Sequence, residues 1–146
     1  MSCPTEGILP ILTLHFVTPA YLTRTEPGRK KARLVKDPDF RLIYERAKQR
    51  LEKWAVTCGV EVGLNDLSRE AELVKHTEEF SLHSERTYRY SRSQNQDEWL
   101  GGITGSLTFE KVPTEFLPPL KICEYLHIGK KTVHGQGKIR IEIKSQ

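Results

Sequence analysis

Apolar and polar positions recur along this chain with two periods, and each period marks a kind of element. Leu12, Leu14 and Phe16 alternate with Thr13 and His15, a period of two that predicts a strand, and Thr18-Pro19 ends the run. Asp37-Pro38-Asp39 then offers a helix start, because Asp accepts from first-turn amides and Pro is tolerated there. Behind it Phe40, Ile43, Tyr44, Ala47, Leu51, Trp54, Ala55 and Cys58 recur at spacings of three and four. They form one helical stripe, with Gly59 placed to cap it. Residues 65–74 predict a short, weaker helix or an irregular connection. Residues 80–92 and 99–110 read as extended. In the second of these, Ile103, Leu107 and Phe109 alternate with Thr104, Ser106 and Thr108 around Gly105, and the polar stretch 93–97 predicts a hairpin connection.

Residues 117–128 predict a second helix. Pro118 and Pro119 suit its first turn, Leu120, Cys123 and Leu126 supply its apolar side, and Gly129 ends it. Ile139, Ile141 and Ile143 alternate with Lys138, Arg140, Glu142 and Lys144 in a last strand. The order strand, helix, strand, strand, helix, strand predicts an α+β chain folded as one ferredoxin-like (split βαβ) domain over residues 1–146. Its sheet is expected to be four-stranded and antiparallel, with two main helices on one face. The RNA-recognition motif has such a sheet too, so the fold is compatible with RNA binding without implying it.

Composition narrows the classes. With 146 residues, 37% hydrophobic and 29% charged, the chain can bury one core, which argues against wholesale disorder. The apolar run 8–14 contains Pro10 and Thr13 and is too short to span a bilayer. The first residues, Met1-Ser2-Cys3-Pro4-Thr5-Glu6, lack the basic and apolar regions of a signal peptide. Cys3, Cys58 and Cys123 lie far apart with no C-x-x-C pair, which suits free thiols in a reducing cytoplasm and argues against structural zinc. A cytoplasmic protein without metal or other cofactor is expected.

The net charge is +4, and its distribution says more than its size. Residues 21–36 hold six basic side chains against Glu26 alone, and residues 121–146 hold six against Glu124 and Glu142. The rest of the chain is acidic on balance. Two basic segments form a patch if the fold joins them, and are solvated loops if it does not.

The densest group of functional residue types is the loop 127–138. Its glycines let backbone approach a phosphate, and Lys130, Lys131, Thr132, His134, Gly135, Gln136, Gly137 and Lys138 add donors and amides. The nucleotide-binding fingerprints need strand, glycines, helix, whereas this loop runs from helix to strand, so tight-turn duty explains the glycines equally well. Arg86, Tyr88, Tyr90 and Arg92 share one side of a strand of period two, a pattern that can stack on bases and neutralise phosphates. Phe80 and Leu82 fall on that side as well, which makes an edge of the core the competing reading. Of the five histidines, His15, His76, His83, His127 and His134, none has a metal-site spacing partner. His15 is expected to be packed or hydrogen-bonded locally, His127 to close the second helix, and His134, beside glycine and two lysines, is the candidate for chemistry.

Several short motifs occur in a telling order. Leu12-x-Leu14-x-Phe16-Val17-Thr18-Pro19, Asp37-Pro38-Asp39-Phe40 and Arg50-Leu51 open it. Arg89-Tyr90-Ser91-x-x-Gln94, Gly101-Gly102-x-x-Gly105 and Leu117-Pro118-Pro119-Leu120 follow. Tyr125-Leu126-His127-Ile128-Gly129-Lys130-x-Thr132-x-x-Gly135-x-Gly137 closes it. Together they resemble the C-terminal domain of the CRISPR-associated repeat-processing endoribonucleases, members of the RAMP superfamily, from about Leu9 to Ile143. His134 stands where that family more often has an aromatic residue. The resemblance implies metal-free cleavage of the CRISPR repeat transcript, in which a ribose 2′-OH attacks the adjacent phosphate. It also implies tandem ferredoxin-like domains, with the general base usually in the N-terminal one, so no catalytic residue carries over to this chain. What carries over is RNA contact through the glycine loop and the central hairpin, where Arg89 joins Arg86, Tyr88 and Arg92.

The first reading is therefore an RNA-binding domain of repeat processing, either a fragment or a stand-alone protein that needs a partner, a separate N-terminal-type domain or other CRISPR-associated subunits, for cleavage. A self-sufficient metal-free ribonuclease using His134 with Lys130 or Lys131 is the second. The third is a structural subunit of a CRISPR ribonucleoprotein.

Overall fold

Strand β1 (Ile11–Ala20) is the centre of the architecture, because its alternate residues Leu12, Leu14 and Phe16 are all buried. The computed structural model describes residues 10–25, 27–28, 30, 33–61, 63, 67–91, 96–130, 132 and 135–144. In it β1 runs antiparallel to both β5 (Gln96–Phe109) and β6 (Ile139–Lys144), and β5 in turn pairs with β4 (His76–Ser91). The order β4-β5-β1-β6 makes the four-stranded antiparallel sheet that the element order predicts. Register carries the apolar rows across it. Leu14 stands between Leu107 and Ile141, and Phe16 between Gly105 and Ile139.

Helices α1 (Phe40–Cys58) and α3 (Leu117–Leu126) supply the other side of the core, with Phe40, Ile43, Tyr44 and Ala47 from one and Leu120 and Cys123 from the other. Phe40 meets Phe109 and Phe116 edge-on at centroid distances of 5.1 Å, a geometry that suits the ring quadrupoles. Helix α1 begins where the sequence says it should. The Asp39 carboxylate accepts from the Leu42 N–H at 2.8 Å. At the other end Gly59, in the left-handed region at φ +71°, turns the chain so that the Val60 N–H reaches the Ala55 carbonyl. A five-residue helix, α2 (Ser68–Glu72), fills part of 65–74.

Four boundaries differ from the sequence expectation. Strand β1 continues through Thr18-Pro19 to Ala20, which pairs with Ile103, and a register shift between Phe16 and Ala20 accommodates the proline. The basic segment contains a small hairpin, β2 (Thr23–Arg24) with β3 (Arg33–Leu34). Strands β4 and β5 start at His76 and Gln96, earlier than predicted, so the expected connection 93–97 loses two residues to the ladder. Helix α3 stops at Leu126, because His127 leaves it at φ +67°.

Two consequences of this topology matter below. The last β5 residue to pair with β1 is Ile103, so the seven pairs from Glu85 with Gly102 to Ser91 with Gln96 form a two-stranded ribbon. At the opposite pole Ile11 lies across from Lys144. Among the described residues no helix is long and apolar enough to cross a membrane.

Candidate nucleic-acid interface

The loop 127–138 is built against the end of β1. Beyond α3, His127 turns the chain, and its Nδ1 lies 3.0 Å from the Gln136 carbonyl oxygen. Ile128 is fully buried, and its N–H donates to the Gly137 carbonyl at 2.9 Å. The Gly137 N–H donates to the Pro19 carbonyl at 2.9 Å, and the Lys130 N–H to the Tyr21 carbonyl at 3.0 Å. Thr18 completes the seam: its hydroxyl donates to the Gly135 carbonyl at 2.7 Å and accepts from the Lys138 N–H at 2.9 Å. The loop is thus held at several points along its length.

Its glycines divide into two kinds. A Cβ on Gly137, at φ +78°, would stand 1.8 Å from the Ile128 carbonyl oxygen, so close backbone packing forbids any side chain there. Gly135, at φ +83°, has nothing within 4 Å of where a Cβ would be and lies exposed. Lys130 and Lys138 are exposed and Thr132 is half-buried. Gln136 is turned inward, 5% exposed, and its side-chain oxygen has no hydrogen-bond partner among the described residues. Lys131 and His134 lie outside the described residues.

The hairpin candidates are described by their backbone. Arg86 pairs with Gly101, Tyr88 with Trp99 and Arg89 with Glu98, all within the ribbon beyond β1. Arg86 and Tyr88 occupy the same alternate positions as Leu82, and Arg89 occupies the other set with His83. Their side chains, and the whole of Arg92, lie outside the described part of the structure. His15, on the polar face of the sheet, has Nε2 3.3 Å from Glu142 Oε1 of β6, with no hydrogen-bond partner for that nitrogen among the described residues.

The two basic segments do meet, through the bridge between Tyr21 and Lys130. What they border is a cleft of about 330 Å³ whose lining includes Arg46, Arg50, Lys53 and Lys130, with Tyr21, Thr23 and Gln49. Among the described residues no carboxylate lines it. The charge tally by segment missed three of these cations, because acidic neighbours on α1 cancel them. The signal was their spacing, since positions 46, 50 and 53 at i, i+4 and i+7 share one helix face. Two are held in place by backbone. Arg46 donates to the Thr23 carbonyl at 2.6 Å, and Arg50 Nε donates to the Leu126 carbonyl at 3.0 Å, tying α1 to the end of α3. Behind Arg50, burial pushes the Cys123 thiol up to about 12, with the guanidinium charge pulling the other way. Among the described residues no three potential metal ligands come together.

Comparison with known proteins gives the family. The profile of "CRISPR-associated endoribonuclease Cas6" matches residues 14–139. The chain belongs to the Cas6 family. Solved structures share its fold. One described as "Cas6 (TTHB231) product complex" superposes with a TM-score of 0.65 at 23% identity, over 90% of this chain and 50% of the other. Thermus thermophilus Cas6 (TTHB231) gives 0.62 at 22%, over 93% and 55%. A "Cas6-RT-Cas1–Cas2 complex" gives 0.63 at 16%, over 95% of this chain and 14% of that one. This Cas6-family chain therefore spans about half the length of the Thermus protein. The sequence matches no curated protein.

Proposed function

We propose that this Cas6-family chain is an RNA-binding domain of CRISPR repeat-transcript processing, of the metal-independent endoribonuclease type. Residues 1–146 act as one ferredoxin-like unit in this reading. The observation that carries it is the fixed loop 127–138, whose Lys130, Gly135 and Lys138 are exposed while its backbone is bonded to β1. A preformed basic loop binds phosphates without first being ordered, which saves the conformational cost of association. Thr132, Gln136 and Gly137 shape the loop, and Lys131, His134 and Arg92, with Arg86, Tyr88 and Arg89 of the ribbon, make further contacts with the RNA.

Cleavage needs a base near the 2′-OH and a charge-stabilising group held opposite it. The proposal places that base outside this chain, on the domain that makes up the other half of the longer relatives. His134 as base is the alternative it competes with.

The test is binding of CRISPR repeat RNA to the purified chain between 50 and 200 mM salt, the concentrations being chosen from the general salt dependence of such contacts. Each single-strand phosphate contact adds about 0.7 to the slope of log affinity on log salt, or about fivefold in affinity at 0.1 M. Replacing Lys130 and Lys131 together by alanine should lower the slope by about 1.4 and the affinity by about 25-fold. An unchanged slope removes the loop from the RNA surface. Single-turnover cleavage in EDTA by the wild type, abolished by His134→Ala, would make this chain an enzyme by itself.

A further inference from the structure

We infer that the cleft between α1 and the start of the 127–138 loop is a second phosphate site. It holds the RNA backbone on the helical side of the domain. The inference rests on the RNA-binding reading and extends it to Arg46 and Lys53, which no family motif singles out, beside Arg50 of the Arg50-Leu51 motif.

The first argument is charge matching along one helix. On α1, Arg41 pairs with Glu45 and Glu72, and Lys48 with Glu52. Arg24, at the border of the helix, pairs with Asp39. Arg46, Arg50 and Lys53 pair with no carboxylate among the described residues, although the same helix supplies carboxylates to its other cations. Four cations around about 330 Å³ repel one another, and a polyanion relieves that repulsion.

The second argument is preorganisation. Arg46 is fixed by the Thr23 carbonyl and by Gln49 Oε1 at 2.9 Å, and Arg50 by the Leu126 carbonyl. Each bond uses part of a five-donor fork and leaves the rest of the guanidinium to meet an anion at small entropic cost. Neutral acceptors are the partners that hold an arginine without discharging it.

The choice of RNA over an acidic protein comes from what adjoins the cleft. Trp54, one turn beyond Arg50, is 39% exposed, and Tyr125 on α3 is 86% exposed. With Lys121 and Ile122 they line a neighbouring groove. Aromatic faces beside a row of cations are the arrangement that stacks bases while neutralising phosphates, and it tolerates any base sequence.

The experiment adds the missing carboxylate. Gln49→Glu is nearly isosteric, lies on an exposed position, and places a negative charge on the atom that already accepts from Arg46. Lys53→Ala removes an exposed cation that makes no bond among the described residues. With the full chain and repeat RNA, each change should lower affinity about fivefold at 0.1 M salt and the salt slope by about 0.7, and the two together about 25-fold. Melting temperatures measured alongside should be unchanged or, for Gln49→Glu, raised. Full RNA affinity in both variants overturns this inference; if the Lys130 and Lys131 pair still weakens binding, the RNA-binding reading stands without it. If that pair has no effect either, both fall. A polyglutamate peptide that binds as tightly as the RNA, and loses affinity equally in Gln49→Glu, would assign the cleft to an acidic protein and overturn it as well.

Discussion

Replacing Gly137 by alanine should unfold the loop from β1, whereas the same change at Gly135 should leave it in place. Both residues have positive φ, +78° and +83°, so each substitution incurs left-handed strain of about 1–2 kcal/mol. Only Gly137 adds a collision, its Cβ at 1.8 Å from the Ile128 carbonyl oxygen. Relief requires the backbone to move apart, which breaks the Ile128-to-Gly137 and Gly137-to-Pro19 hydrogen bonds, each 2.9 Å long. At about 1 kcal/mol apiece, and with some loss of Ile128 burial, Gly137→Ala should cost about 3–5 kcal/mol in all. Gly135→Ala should cost only the strain. For a chain of this size 1 kcal/mol moves the melting point by about 4 °C, so the variants should melt about 12–20 °C and about 4–8 °C below the wild type. Calorimetry or circular dichroism reads the difference. Equal losses at the two positions would refute the division of the loop into a packed glycine and an open one.

Asp39→Ala should destabilise the domain by about 1 kcal/mol through loss of the α1 cap, with Asp39→Asn largely sparing it, as read by urea unfolding. Native alkylation followed by peptide mass analysis should label exposed Cys58 and leave buried Cys123 untouched, because its thiol, at about 12, stays protonated. That pKa is raised above the ordinary 9.0, so the contribution is full below pH 9 and lost between about pH 9 and 12. Cys123→Ala should accordingly lose less stability than the wild type across that window, and parallel alkaline curves would contradict it.

The elements whose burial is periodic were legible in the sequence. The α1 stripe, though its members Trp54 and Cys58 are exposed, the β1 alternation, the β6 alternation up to exposed Ile143, and the Asp39 and Gly59 caps report local geometry that neighbouring residues determine. Boundaries set by distant partners were not. Strand β1 continues past Pro19 because Ala20 finds Ile103, and α3 ends early because His127 must turn Ile128 under the loop toward Gly137. The seam made by Thr18 joins residues 117 and 120 positions apart, which no local pattern encodes. At the interface, the loop was visible as a cluster of residue types, yet inward-turned Gln136 was indistinguishable in sequence from its exposed neighbours. The cations of α1 were hidden among carboxylates until helical spacing sorted them by face.

The pairing of Ile11 with Lys144 makes the described chain nearly a closed ring. Strand β1 is ten residues long, so that junction stands about 30 Å from the end where the loop is seated. A label attached at Ile11 or at Lys144 would therefore sit at one pole, away from the 127–138 loop. A short bridge across the junction would also let new ends be opened in the exposed turn after Gly59. The order of reading along the polypeptide would change while every strand kept its neighbours.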